Sequence, residues 1–253
     1  MNEGGVIEAA ECVLTGRCPI EVKRALMIHR WDRLTFLHWR YDPAIIQAML
    51  PEGLTVETFD GSAWVGLVPF EMVVRAPHTA PVPWASRFPE TNVRTYVTAA
   101  DGTTGVWFLS LDAARFGAVA IARAGFDLPY YWSSMDISQV GPFMTYRSTR
   151  RWPQPAPATT EVAVEVGAPY GPDELTDLDH WLTARWRLYS WEPSGLRWAL
   201  AWHAPWPLHK ARLLHLDDEL ITAAGLPAPE GAPLVHWSPG VEVRIGWRHR
   251  LVV

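Results

Sequence analysis

Short runs in which apolar and polar residues alternate dominate the hydrophobic pattern of this chain, with glycines, prolines or Asp-Gly pairs between them. Such alternation in runs rich in β-branched and aromatic residues is typical of β-strands. Roughly ten strands are therefore predicted. The runs lie at 33–41, 54–59, 62–74, 92–99, 103–111, 134–140, 144–152, 160–168, 184–191, 196–204 and 241–249.

Two Asp-Gly pairs, at 60–61 and 101–102, lie between consecutive predicted strands. An Asp-Gly pair favours the type I′ turn, whose twist matches that of a two-stranded antiparallel ribbon. Each pair therefore predicts a β-hairpin made of the two strands that flank it.

Four segments have the composition and the end signals of short helices. The clearest begins at Asp42, an N-cap residue followed by proline, and covers 44–50. The segment 113–125 ends on a glycine, and 172–183 carries acidic residues in its first turn. The fourth, 217–226, also ends near a glycine.

The distribution of these elements predicts one domain. Residues 1–24 have weak periodicity and are predicted to form an N-terminal arm. Residues 25–253 contain no repeat of fixed period and no linker, which predicts a single domain. Many strands with few short helices predict an α+β fold built mainly on an antiparallel, barrel-like sheet. A barrel of this size can enclose a cavity for a small ligand.

Charge and hydrophobicity exclude several classes of protein. With 22 basic and 27 acidic residues the net charge is −5, which argues against a nucleic-acid partner. No apolar run approaches the roughly 20 residues of a membrane span, and the acidic start lacks the basic region of a signal peptide. We therefore expect a cytoplasmic protein with no membrane or nucleic-acid partner, and a homo-oligomer stays possible.

Residues with distinctive chemistry are few. Cys12 and Cys18 have the spacing of neither a redox motif nor a zinc site, and Lys23 and Lys210 are the only lysines. The nine histidines are scattered, and the common motifs for nucleophiles, phosphates and metals do not occur. We therefore expect no metal site and no cofactor.

One segment, 88–97, carries hydrogen-bonding side chains at alternate positions: Glu90, Asn92, Arg94 and Tyr96. Alternation puts all four on one face of a strand. If that face lines the barrel, the four groups converge on its cavity. The alternative is a solvated strand face with an ordinary Glu–Arg pair, and the pattern alone does not decide between them.

An ordered set of motifs resembles the uncharacterised bacterial YqjF-like family, a domain of unknown function. The resemblance covers about residues 28–247 and is carried by the runs at 30–72, FPETNVRTYV (88–97), ARAGFDLPYYWSSM (122–135), 177–190 and 236–245. That family is placed in the acetoacetate decarboxylase-like superfamily, whose fold is a barrel-like antiparallel sheet around a ligand cavity. The resemblance implies this fold and favours the inward-facing alternative for 88–97.

The decarboxylases of that superfamily use a Schiff-base lysine that is acidified by a neighbouring lysine. In the comparable stretch here, 123–132, the resemblance places Tyr130 and Tyr131 where the lysine pair would stand. A phenol cannot form an iminium with a ketone. We therefore expect decarboxylation through a Schiff base to be lost.

The resemblance also implies roles for side chains around the cavity. Tyr130, Tyr131 and Trp132 would supply an aromatic wall and phenol donors. Arg94 would bind an anion, because a guanidinium pairs with a carboxylate in bidentate geometry. Glu90 would orient Arg94 or, with Tyr130, act as a general acid or base if burial raised its pKa.

Two further candidates for the ligand site are His38, on the first strand, and Arg115, near the start of a predicted helix. The ordinary alternatives are a structural histidine and a surface or helix-capping charge. Three functions stay open: a binding protein for a small organic acid or carbonyl compound, a cofactor-free acid–base enzyme of lyase or isomerase type acting on such a compound, and a non-catalytic structural or interaction protein.

Overall fold

The computed structural model describes residues 18, 20–82, 86–117, 119, 123, 128–153, 157–171 and 173–251. Most of the predicted N-terminal arm, including Cys12, lies outside the described residues. The described part of the chain forms one 13-stranded sheet with short helices. None of its helices is long and apolar enough to cross a membrane.

The strands and helices have the following bounds. The strands are β1 (Met27–Tyr41), β2 (Leu54–Val56), β3 (Ala63–Arg75), β4 (Arg87–Ala99), β5 (Thr104–Ala113), β6 (Tyr130–Val140), β7 (Phe143–Trp152), β8 (Thr159–Pro169), β9 (Arg187–Glu192), β10 (Gly195–His203), β11 (His209–Asp218), β12 (Leu234–Ile245) and β13 (His249–Arg250). The helices whose bounds lie within the described residues are α1 (Pro43–Gln47), α2 (Asp177–Thr183) and α3 (Leu220–Ala223). The sequence pattern predicted most of these strands and missed β11.

The sheet branches at two strands, β5 and β12. One edge of β5 pairs with β4, whereas its other edge pairs with β9 at residues 106–107 and with β6 at residues 111–113. Similarly, one edge of β12 pairs with β1, and the other pairs with β10 at residues 243–245 and with β11 at residues 236–237. The sheet therefore closes on itself along two paths. One path runs from β5 through β6 to β11 and β12, and the other runs from β5 through β9 and β10 to β12.

The two closures form two rings. The larger ring is a closed, mixed barrel of nine strands, β1-β3-β4-β5-β6-β7-β8-β11-β12. The smaller ring is β1-β3-β4-β5-β9-β10-β12. Strands β12, β1, β3, β4 and β5 belong to both rings and are called the shared wall below. The predicted barrel-like α+β fold is confirmed, with the difference that β5 pairs in parallel with β6 and β9.

Both faces of the shared wall are buried, because each ring takes one of them for its core. On β3, Val65 and Leu67 pack in the core of the larger ring, whereas Val68 and Phe70 pack in the core of the smaller ring. The sequence of a strand that is buried on both faces is a nearly continuous apolar run, and residues 63–74 form such a run. A polar side chain on this wall is buried on either face and needs a polar partner there.

A buried ion pair holds the sheet together where it branches at β5. Arg150 of β7 donates to Asp112 of β5 through Nε at 3.0 Å and through a terminal nitrogen at 2.8 Å. Ser133 of β6 donates to the same carboxylate at 2.7 Å. The guanidinium also lies 3.5 Å from the centre of the Tyr131 ring. These contacts join β5, β6 and β7 and satisfy a pair of charges that burial would otherwise penalise.

The two Asp-Gly predictions have different outcomes. The pair at 101–102 connects β4 and β5, which form the predicted hairpin. At 60–61 the turn forms, with two backbone hydrogen bonds between Phe59 and Ser62, but the hairpin prediction is wrong because β2 pairs with β4. The free edge of β4 explains this pairing. Residues 97–99 of β4 do not pair with β3, so their edge is available and β2 pairs with it.

The helices are shorter than the sequence predicted. The Asp42 carboxylate accepts a hydrogen bond from the Ala44 backbone at 2.8 Å, which confirms the N-cap, although α1 ends earlier than expected. The predicted start of α2 at residue 172 is wrong. Thr176 and Asp179 form a capping box, and this fixes the first turn of the helix after Thr176.

Strand ends account for the other changes in helix length. Residues 217–218 extend β11, so α3 keeps only the middle of the predicted 217–226 helix. Within the predicted helix 113–125, Ala113 belongs to β5, and the residues described from Phe116 onward are helical. The other residues of that prediction lie outside the described part of the chain.

Candidate functional site

The smaller ring encloses a cavity of about 640 Å³. Apolar side chains of the shared wall, among them Trp31, Val68, Phe70 and Phe88, line much of it together with residues of β9 and β10. Three neighbouring polar side chains reach the lining from β4. The volume lies within the roughly 300–1,000 Å³ that is typical of small-molecule sites.

Three of the four polar side chains predicted on one face of β4 line this cavity. Glu90, Asn92 and Arg94 are 3%, 5% and 7% exposed. Tyr96 is fully buried and lies outside the lining, and Val93 packs in the core of the larger ring on the opposite face. The alternation argument is therefore right. The solvated-face alternative is wrong because this face is buried.

Glu90 forms a hydrogen-bonded pair with Tyr130. The Tyr130 hydroxyl donates to Glu90 Oε2 at 3.2 Å. Burial raises the pKa of the Glu90 carboxyl to about 8, an effect that the Tyr130 hydrogen bond opposes and the Asp112 charge reinforces. Burial and the Glu90 charge also raise the pKa of Tyr130 well above its usual value. At pH 7 Glu90 is therefore mostly a neutral carboxylic acid.

Arg94 is a buried guanidinium with incomplete contacts. A terminal nitrogen makes two long hydrogen bonds, at 3.4 Å to Tyr96 Oη and at 3.5 Å to the Leu182 carbonyl. Its Nε is buried without a hydrogen-bond partner. Among the described residues no carboxylate lies within 4.0 Å of it, so the expectation that Glu90 orients Arg94 is wrong. A positive charge beside the cavity is thus left without a counter-ion.

Tyr96 and His38 position Arg94 through a chain of hydrogen bonds. Tyr96 Oη donates to the Leu182 carbonyl at 2.8 Å, so His38 Nε2, 2.6 Å away, donates to the same hydroxyl. Burial and the Arg94 charge keep the pKa of His38 well below its usual value, and the ring is neutral. A side chain at Gly66 would collide with that ring, since its Cβ would lie 2.9 Å from Nε2. His38 is therefore structural and does not line the cavity.

The other predicted side chains lie elsewhere. Tyr131 points away from Tyr130, as neighbours on a strand must, and lies over Arg150 instead. Trp132 is 38% exposed and contacts Phe116 on the surface. Arg115 is exposed as well. The predicted aromatic wall therefore keeps only Tyr130, and none of the other three lines the cavity.

Several cavity residues could not be found from the sequence pattern, and Arg185 and His29 are two of them. Arg185 lines the cavity, donates to the Trp181 carbonyl at 2.7 Å and pairs with Glu57 at 2.6 Å. Arg185 lies in the connection between α2 and β9, where apolar and polar residues do not alternate, so the sequence does not show to which side its side chain points. His29 lies on the part of β1 that precedes the predicted strand. Burial lowers its pKa to about 4, so this imidazole is neutral.

Neither lysine of the chain is part of the cavity lining that the structure describes. Lys23 and Lys210 are both exposed, and Lys210 pairs with Glu174 at 2.8 Å. Within the described ranges, no cluster of three or more His, Cys, Asp or Glu side chains could hold a metal ion. The cavity lining thus consists mainly of apolar side chains, with one carboxyl group, one amide, two phenols and four guanidinium groups among its polar members.

Comparison with known proteins identifies the family of this chain. The family DUF2071, described as an uncharacterised conserved protein, matches residues 29–242. The chain belongs to this family. A relative, the uncharacterised protein YqjF of Bacillus subtilis (strain 168), is 35% identical over 219 residues, which cover 86% of this chain and 89% of the relative. The resemblance found in the sequence motifs is confirmed.

Solved structures show that this DUF2071 chain has the acetoacetate decarboxylase-like fold. An acetoacetate decarboxylase-like enzyme from Sphingomonas wittichii RW1 matches with a TM-score of 0.61 at 15% identity, over 90% of this chain and 94% of that one. The enduracididine biosynthesis enzyme MppR in complex with pyruvate matches with a TM-score of 0.54 at 15% identity, over 89% and 91%. Identities this low support the fold alone.

The raised pKa of Glu90 predicts a pH-dependent stability. Between about pH 4.5 and 8 the folded protein holds a proton on Glu90 that the unfolded chain releases, so the free energy of unfolding falls as pH rises. The slope is at most about 1.4 kcal/mol per pH unit. Glu90→Gln imitates the protonated side chain and should become more stable relative to the native protein between pH 5 and 8, as measured by urea unfolding.

A surface carboxyl provides the control. Arg147 lowers the pKa of Glu161, which therefore titrates below this range. Glu161→Gln should show no such trend relative to the native protein. A pH-independent difference between native protein and Glu90→Gln would mean that Glu90 is ionised throughout, and would contradict the account of the pair.

Proposed function

We propose that the cavity of this protein binds a small organic acid or carbonyl compound, with a carboxylate of the ligand paired with Arg94. The observation that carries the proposal is the buried Arg94 guanidinium without a counter-ion. An unpaired buried charge costs several kcal/mol, and an anionic ligand would offset that cost.

The free positions of Arg94 suit a carboxylate. Its Nε–H has no partner, and the terminal nitrogen makes only long contacts, so the guanidinium can offer two donors to one carboxylate. Asn92 lies two residues away on the same face, and its side-chain oxygen is buried without a partner. That oxygen could accept a hydrogen bond from a hydroxyl on the ligand.

One of the compared structures supports this proposal. MppR has a similar fold and binds pyruvate, which is a small oxo acid. At 15% identity this similarity does not assign a ligand to the present chain. It indicates that a barrel of this type has room and suitable surroundings for such a compound.

Schiff-base chemistry is not part of the proposal. Both lysines are exposed and lie outside the cavity lining, whereas Tyr130 reaches Glu90 inside it. A ketone held at Arg94 would therefore meet a carboxylic acid and a phenol. Neither of these groups can form an iminium.

A thermal-shift screen of small oxo and hydroxy acids tests the binding proposal. An acid at a hundred times its Kd should stabilise the fold by about 2.7 kcal/mol and raise the Tm. Arg94→Lys should weaken every hit, because an ammonium keeps the charge and loses the paired donors. The amides of the same acids should give no shift.

The matched control for this screen is Arg212→Lys, at an exposed arginine that pairs with Glu165. This variant should respond to the acids as the native protein does. Hits that Arg94→Lys leaves unchanged, or amides that stabilise as well as their acids, would contradict binding through a carboxylate at Arg94.

A second function, cofactor-free acid–base catalysis on the bound compound, is favoured by one observation. Glu90 is a buried carboxyl with a pKa of about 8, and it shares a hydrogen bond with Tyr130 beside the cavity. A group that titrates near neutral pH can take a proton from a carbon next to a carbonyl and return one. The open cavity does not favour the third hypothesis, a purely structural or interaction protein.

Deuterium exchange tests this catalytic proposal. With 2-oxobutyrate in D₂O, the native protein should speed the incorporation of deuterium at the carbon next to the ketone, as followed by NMR. The general base must be deprotonated, so the rate should rise from pH 6 and level off above about pH 8. Glu90→Gln should abolish the exchange, whereas Glu161→Gln should not. If deuterium incorporation with the native protein is no faster than in buffer, the catalytic proposal is refuted, whereas the binding proposal is unaffected.

A further inference from the structure

We propose that the ligand is an amphiphilic acid, with its carboxylate at Arg94 and an extended hydrocarbon body in the rest of the cavity. This inference rests on the proposed function, because it keeps the acid at Arg94 and adds the chemistry of the remaining part of the molecule. It follows from the size of the cavity, the separation of its polar and apolar halves, and the pairing of its other cations.

Cavity volume limits the size of a ligand that would fill it. At about 640 Å³, the cavity is roughly four times as large as the ~150 Å³ engineered cavity that binds one benzene molecule. Pyruvate has as many heavy atoms as benzene, so it would occupy only about a quarter of this space. A larger ligand is needed to fill the cavity.

The polar side chains that β4 contributes to the lining lie toward one end of the cavity. Along β4 the lining runs from Arg94 through Asn92 to Glu90, and then to Phe88, which lies opposite Met72 of β3. The polar series of β4 therefore ends at Glu90. Beyond that point both strands present apolar side chains to the cavity.

The apolar half extends toward the connection between β3 and β4. Most of its lining is apolar, and its polar members are few. The apolar side chains are Met27, Trp31, Met72, Val74, Val82 and Phe88, and the polar ones are His29, Arg75, Thr79 and Ser86. On β3 the lining side chains from Val68, opposite Asn92, to Val74 alternate along one face of the whole cavity, and at about 3.3 Å per residue they span roughly 20 Å. An extended hydrocarbon chain has the shape that this row of side chains requires.

The charges around the cavity allow one anionic group. Arg75, Arg185 and Arg248 each form an ion pair with a glutamate. His29 lies in the apolar half and is neutral at pH 7. Arg94 alone, among the described cations of the lining, has no carboxylate within 4.0 Å. A diacid or a sugar would place polar groups against apolar side chains, which is unfavourable.

Affinity should therefore depend on chain length. Each methylene group buried in the apolar half should strengthen binding about three- to fourfold, which corresponds to about 0.8 kcal/mol. Primary alcohols of the same length should bind roughly ten- to a hundredfold more weakly than the acids, because they lack the charge-assisted bond to Arg94.

The experiment is isothermal titration of the native chain with butanoate, hexanoate, octanoate and decanoate, each below its critical micelle concentration, and with the matching alcohols. The expected result is a Kd that falls steadily with length for both series. Arg94→Met should weaken the acids to the level of the alcohols and keep the dependence on length.

A variant that fills the apolar half tests the position of the hydrocarbon body. Val74→Trp should weaken decanoate at least tenfold and change butanoate less than twofold. Val140→Trp, at a valine that is 74% exposed and far from the lining, is the matched control and should change neither. If circular dichroism shows that Val74→Trp is misfolded, Ala80→Trp on the exposed end of the lining replaces it.

The outcomes separate this inference from the proposed function. Butanoate binding as tightly as decanoate would overturn the amphiphilic ligand and leave the acid site at Arg94 standing. Alcohols that bind as tightly as acids, with affinity rising with length, would overturn the acid site and leave an apolar cavity. No binding in either series would overturn both.

Discussion

The sharing of one wall by two closed rings is the constraint on which the rest of this structure depends. Strands β12, β1, β3, β4 and β5 must give one face to the core of the nine-stranded ring and the other face to the smaller ring. The larger ring is packed with apolar side chains and with polar groups that pair with one another, such as Asp112 and Arg150. The cavity lies in the smaller ring, so the polar groups of the wall that could meet a ligand are those that face this ring. The Asp112–Arg150 pair joins β5 to β6 and β7 where this arrangement begins.

The electrostatics of the cavity follow from that burial. Glu90 is mostly neutral because desolvation raises its pKa, and it bonds to Tyr130 instead of neutralising Arg94. Arg94 is held by Tyr96, and Tyr96 by His38, through hydrogen bonds that leave Nε free. One strand face therefore carries a proton donor and an unpaired cation, which are the two features that a carboxylate or carbonyl ligand would use.

Sequence patterns predicted the parts of the site that depend on a single strand. Alternation correctly put Glu90, Asn92 and Arg94 on one face, and the Asp-Gly pair at 101–102 gave the right hairpin. Alternation also contradicts a wall made of both Tyr130 and Tyr131, since neighbours point to opposite faces. That part of the prediction came from the resemblance to the decarboxylases, where the residue types at these positions differ.

The features that the sequence could not predict depend on pairing between distant strands. Residues 106–107 and 111–113 of β5 pair with different strands on the same edge, and no periodicity within β5 distinguishes them. The same holds for β2, whose partner is decided by the free end of β4. Arg185 lies in a connection without alternation, so only the three-dimensional structure brings it to the cavity.

Binding of an anion to the Arg94 guanidinium is the central claim, and NMR of arginine Nε–H groups observes such binding directly. The Arg94 resonance can be assigned by its loss in Arg94→Lys, and burial should slow its exchange with water. On addition of a saturating carboxylic acid, the account predicts that this resonance moves downfield, because the free Nε–H gains a charge-assisted hydrogen bond. An Arg94 resonance that stays in place while the protein binds the acid would contradict it.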